Sequence, residues 1–253
     1  MGRRSAIGLI GGLAALAAAA LVLVPAIPQD PAYHRLADSR AWLGIPNALN
    51  VLSNTGFLLV GALGLAYVAA GGRPAFREPG ERWPYAVFFG GLLLTGFGSG
   101  YYHWEPGNAR LAWDRLPLAI TLMGLLAATI AERIGVKSGL WLLGPLVAIA
   151  TGSVIYWHWT EQRGAGDLRL YALVQFYPIV AIPLMMWWLA PRYTRGGELL
   201  AAAATYAAAK GPELLDGWIL SATRVVSGHT LKHLLAALAG YWVLRMLGHR
   251  RAV

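Results

Sequence analysis
Five polar residues stand among apolar ones, and their types and spacing are those of a metal-assisted hydrolytic site. Ser99 and His103 are four residues apart, about one helical turn, so they share a face that Thr95 and Gly91 continue. The turn Glu105-Pro106-Gly107-Asn108 reverses the chain, and Trp113-Asp114-Arg115-Leu116-Pro117 opens the next apolar run, returning Asp114 to the depth of His103. His229-Thr230-Leu231-Lys232-His233 opens the last run. Histidines at i and i+4 point the same way and can bind one metal ion, although two histidines packed in a helical core share that spacing. Three neutral imidazoles with an open fourth position form the pattern of a catalytic zinc. The chain has no cysteine, so thiolate metal sites, disulfides and a cysteine nucleophile are excluded.

Two further polar groups have less specific spacing. Lys210, Glu213 and Asp216 recur at i, i+3 and i+6, as a proton relay or ion path would, or as an internal salt-bridge set would. His158 lies between Trp157 and Trp159, near Glu161, Asp167 and Arg169, and reads as an interfacial belt and loop.

The elements that must position these residues are membrane helices. Of 253 residues, 57% are hydrophobic and 13% charged, against about 45–50% and about 25% in a soluble domain. So few charges cannot cover a water-facing surface, and the composition predicts an all-α integral membrane protein. Apolar runs of membrane-spanning length are predicted at 6–26, 47–70, 84–103, 111–132, 138–158, 168–190, 197–219 and 229–248. The breaks carry turn chemistry, including Gly71-Gly72-Arg73-Pro74 and Gly164-Ala165-Gly166-Asp167. Trp83, Trp104, Trp141, Trp157, Trp159 and Trp218 fall at run ends, where indoles prefer the membrane interface.

Residues 1–28 are expected to be a membrane helix or signal-anchor, with Val24-Pro25-Ala26 as a possible cleavage site, and 29–253 one helical domain. With the N-terminus inside, the inner segments hold twelve Lys and Arg (3, 4, 73, 77, 82, 133, 137, 192, 195, 245, 250, 251) and the outer loops six (35, 40, 110, 163, 169, 224). That bias predicts both termini in the cytoplasm and the His103/Asp114/His229/His233 group near the outer face. The net charge of +9 is scattered and speaks for topology rather than a nucleic-acid partner.

Ser-x-x-x-His, an Asp eleven residues after the histidine and followed by x-Leu-Pro, and a His-x-x-x-His opening the last helix resemble the alkaline ceramidases of the CREST superfamily. The segment Ile45-Pro46-Asn47-Ala48-Leu49-Asn50-Val51-Leu52-Ser53-Asn54 is similar to that family's start of its first core helix. The resemblance spans about 38–248 and implies a seven-helix membrane hydrolase, the first run being an addition. It further implies a zinc on His103, His229 and His233, with Ser99 and Asp114 as catalytic residues. The implied reaction cleaves the N-acyl amide of a ceramide-like sphingolipid to a fatty acid and a long-chain base. The family's calcium site does not carry over, because Asn47 stands where its glutamate would be and only Asp38 and Asp30 are nearby carboxylates. Short loops and a preference for arginine over lysine suggest a bacterial homologue in the inner membrane. The rival readings are a zinc-containing lipid receptor without turnover and a transporter using Lys210, Glu213 and Asp216. The sequence does not choose an oligomeric state.

Overall fold
The computed structural model describes residues 2–71 and 75–253. The turn at Gly72-Arg73-Pro74, with the charge of Arg73, lies outside the described residues. The architecture is all-α, with no strand among the described residues. The helices are α1 (Arg3–Leu23), α2 (Ala48–Leu52), α3 (Thr55–Ala69), α4 (Arg82–Trp104), α5 (Asn108–Arg133), α6 (Val136–Gln162), α7 (Arg169–Trp188), α8 (Gly196–Ala208), α9 (Lys210–Leu214), α10 (Asp216–Thr223) and α11 (Gly228–His249). Five spans are long and apolar enough to cross a membrane: α1, α2 with α3, α5, α6 and α7. Of the other three predicted runs, α4 carries Tyr101, Tyr102 and His103 and α11 carries His229, Lys232 and His233, which lower their mean hydropathy. The third, which carries Lys210, Glu213 and Asp216, is divided among the short helices α8, α9 and α10.

Two runs predicted as single helices are interrupted. The 47–70 run bends at Ser53-Asn54, because side chains there take the carbonyls that would continue the ladder. Ser53 Oγ and Asn54 Nδ2 both donate to Asn50 O, at 3.1 and 2.7 Å, and Thr55 Oγ1 donates to Leu52 O at 2.8 Å. The 197–219 run divides into α8, α9 and α10 around Pro212, which has no N–H to donate, and extends to Thr223.

Helix α5 is the most buried span and packs against α4, α6 and α7. Gly98 on α4 makes that approach close enough to matter: a Cβ there would overlap the Trp113 carbonyl, so the glycine brings Asp114 alongside the Ser99 turn. Gly228 does the same where α11 begins, against the carbonyl of Pro212 on α9.

Both termini meet at one end of the bundle. Arg3 donates to Ile134 O, Arg77 Nη2 to Val253 O at 2.7 Å, and Thr194 N to Arg251 O at 2.9 Å. At the opposite end Leu168 N donates to Ile27 O at 2.8 Å and Gln29 N to Glu161 Oε2 at 3.2 Å. Five of the six run-end tryptophans are exposed, as interfacial residues would be. Trp157 is the correction: it is fully buried, its indole 4.2 Å from the Arg115 guanidinium carbon. The cation beside its ring face attracts the buried indole.

Candidate metal centre
The last turn of α4 supplies His103 and the first turn of α11 supplies His229 and His233, at the end of the bundle away from both termini. All three side chains are buried, and their ring centroids lie 4.7–4.8 Å apart. His103 Nε2 is 3.2 Å from both His229 Nε2 and His233 Nε2. Nitrogens about 2.0–2.1 Å from a tetrahedral zinc lie about 3.3–3.4 Å from one another, so the cluster is spaced for a small tetrahedral ion. These three residues form a group that can hold a metal ion.

Hydrogen bonding fixes which nitrogen of His233 faces the cluster. The Ser53 hydroxyl donates its one proton to Asn50 O, so it accepts from His233 Nδ1–H at 2.8 Å. Nε2 of His233 is then the unprotonated nitrogen, its lone pair directed at the other two rings. His103 Nδ1 is buried without a partner among the described residues, leaving that ring's polar contacts on its Nε2 side.

The backbone that carries these rings is clamped by polar side chains. Ser227 caps α11, its Oγ accepting from Thr230 N at 3.2 Å. Asn50 is fully buried and joins three segments: its Nδ2 donates to Asp38 O at 2.9 Å, and its Oδ1 accepts from Thr230 Oγ1 at 3.2 Å. Asp216 Oδ1 accepts from His229 N at 2.7 Å, and Oδ2 from Ala37 N at 3.1 Å. A carboxylate at the N-terminus of α11 also suits the helix dipole.

Asp216 therefore does not join the salt-bridge set or relay that its spacing with Lys210 and Glu213 predicts. The break at Leu215 turns it towards α11. Glu213 instead pairs with Lys210 at 2.8 Å and with Lys232, the residue before His233, at 2.9 Å.

Ser99 and Asp114 line a polar chamber with His233, and the Ser99 hydroxyl faces the Asp114 carboxylate. Lys210, Glu213, Lys232 and Arg115 line the same chamber. An apolar cavity adjoins it, sharing Phe57, Leu118, Tyr206 and Ala236 and running between α4, α5, α7, α8 and α11. The structure thus brings together all five residues that spacing singles out: three in the ring cluster, two in the chamber beside it.

The two positions where the resemblance would seek calcium are otherwise engaged. Arg40 holds both oxygens of Asp38, through Nε and Nη2 at 2.7 Å each, and Asn47 Nδ2 donates to His103 O at 2.8 Å. His158, by contrast, lies at the edge of the bundle beside Gln162, away from the cluster.

No protein-family model and no curated protein matches this chain. What the site can do rests on its geometry. Sequence spacing did not single out Ser53, Asn50 and Ser227 as supports, nor Arg115 as a member of the chamber. Ser53 and Asn50 do fall in the polar Asn47–Asn54 stretch, whose density of carbonyl-binding side chains is the available signal.

Proposed function
We propose that this chain is a zinc-dependent membrane amidase of the alkaline ceramidase type, hydrolysing the N-acyl amide of a ceramide-like lipid. One observation carries the reading: three imidazole nitrogens converge beside a chamber that holds a serine and a carboxylate. In this reading α2 with α3, α4, α5, α6, α7, α8–α10 and α11 form a seven-helix bundle, and α1 is an addition. The excess of Lys and Arg at the end bearing both termini supports a cytoplasmic placement for that end. The metal centre then faces outward, in a bacterial inner membrane.

His103, His229 and His233 would hold the zinc, whose contribution when bound is Lewis acidity towards the amide carbonyl and towards water. Asp114 accepts the proton of the attacking water and returns it to the leaving nitrogen. The water oxygen becomes bonded to the acyl carbon, the C–N bond breaks, and a fatty acid and an amine result. Ser99 donates to the carbonyl oxygen as it gains charge, a contribution of about 3 kcal/mol in comparable sites. The adjoining apolar cavity accepts the acyl chain, so the amide lies where the cavity meets the chamber.

The test is elemental analysis of detergent-purified protein, prepared without a metal-affinity step, beside assays on N-acyl lipids. About one zinc per chain, lost in His229→Ala together with amide hydrolysis, supports the proposal. Full hydrolysis by metal-free protein overturns it. Zinc without turnover of any N-acyl lipid moves the function to lipid sensing, and folded protein without zinc moves it to transport through the Lys210/Glu213 group.

A further inference from the structure
We infer that the chamber beside the histidines is a binding site for an anionic head group. Its ligand is an amphiphile whose tail occupies the apolar cavity and whose polar end carries a carboxylate or a phosphate. Combined with the amidase reading, on which this last step rests, the substrate is an N-acyl lipid with a negative charge on its amine half.

The key residue is Arg115. It is 6% exposed, and its guanidinium is fixed by Gln29, whose Oε1 accepts from Nη2 at 2.5 Å, and by the rings of Trp157 at 4.2 Å and Tyr171 at 4.9 Å. Its Nη1 is buried without a partner, and no carboxylate lies within ion-pair distance of it among the described residues. The other buried arginines differ: Arg250 and Arg133 both pair with Glu132, at 3.2 and 3.3 Å. A buried guanidinium with an unused donor and no counter-ion is costly unless a ligand completes it.

Lys232 and Lys210 add to the same requirement. They share one carboxylate, Glu213, so the trio keeps one positive charge. Counting Arg115 and an ionised Asp114, three cations face two carboxylates across the chamber, and one anion balances it. A planar guanidinium matches carboxylate and phosphate oxygens alike, whereas a neutral diol offers it no charge. Lys232 and His233 line the same chamber, so the anion would be held beside the histidine cluster.

The test separates this inference from the reaction. Three uncleavable ether analogues share one oleyl chain and end in a hydroxyl, a carboxylate or a phosphate. Their binding to purified full-length protein is measured by displacement of a fluorescent fatty-acyl probe. The anionic analogues are expected to bind at least about tenfold more tightly than the alcohol, and that preference is expected to collapse in Arg115→Gln and in Lys232→Met. Should Arg115→Gln fail to fold, Lys232→Met decides. The better anion, carboxylate or phosphate, identifies the head group. Equal binding of alcohol and anions by wild-type protein overturns the inference. Turnover of N-oleoylglycine and N-oleoylethanolamine supplies the second readout. Equal turnover of both upholds the amidase and removes the anion site; an anion preference without turnover of either upholds the site and removes the amidase.

Discussion

Replacing Ser53 with alanine tests the hydrogen-bond logic of the centre without touching a metal ligand. The variant removes the hydroxyl that accepts from His233 Nδ1–H, in a position where Ser53 is 8% and His233 3% exposed, so water does not readily replace it. Leaving a buried donor unpaired costs about 1–3 kcal/mol. Removing the outer partner of a ligating histidine weakens metal binding about 10–100-fold, or about 1.4–2.7 kcal/mol, so the two routes agree. The expected result is a zinc affinity reduced by that factor, read by chelator competition on detergent-purified protein, with helix content unchanged. Ser221→Ala is the control, since Ser221 is exposed and its hydroxyl donates to Trp218 O, away from the histidines. Nitrogen-15 spectra should show His233 protonated at Nδ1 in the wild type and a mixture of tautomers in the variant. Unaltered affinity in a folded Ser53→Ala protein would refute the assignment of Nε2 as the inward-facing nitrogen.

Further outcomes follow from the polar clamps around the site. Asp216→Ala removes the acceptor of both His229 N–H and Ala37 N–H, and should destabilise the start of α11 by about 1–2 kcal/mol. Faster amide exchange at 228–231, largely restored in Asp216→Asn, is the expected signature; unchanged exchange in Asp216→Ala counts against the clamp. In the loop before α7, the Arg169 guanidinium, helped by the Tyr156 hydroxyl, holds the Asp167 carboxyl down to about 2. An unfolded aspartate titrates near about 3.9, so this pair's contribution is complete above that pH and is lost as pH falls towards about 2. The gap in melting temperature between wild type and Asp167→Asn should therefore close over that window. A gap that stays constant would exclude the ion pair as its source.

Much of the site was legible because helical geometry is local. The four-residue spacing of Ser99/His103 and of His229/His233 fixes shared faces, and turn chemistry returns Asp114 to the same depth, all without knowledge of the packing. The roles that escaped the sequence depend on partners far along the chain. Ser53 meets His233 and Asn50 meets Thr230 across separations of 180 residues in each case. Periodicity carries nothing about such pairings. Asp216 fits a helical i, i+3, i+6 pattern with Lys210 and Glu213, and only the break after Pro212 turns it to another helix. Trp157 was read by its position at a run end, whereas its burial follows from Arg115 on a different helix.

The histidines that converge on one point are separated by 126 and 130 residues, with His103 on α4 and the other two on α11. During synthesis the chain emerges from its N-terminus, so α4 is in place long before its partners exist. The centre cannot close until α11 has inserted and docked. Capture of an ion there would be the last event of assembly and would report on it: a chain stalled or cut before residue 229 keeps most of its helices but offers one imidazole of the three. An ion tying segments so distant would have large leverage against unfolding, because the loop it closes is long. A metal bound there would be a latch for the finished bundle, and its removal should loosen α11 before any other part of the molecule.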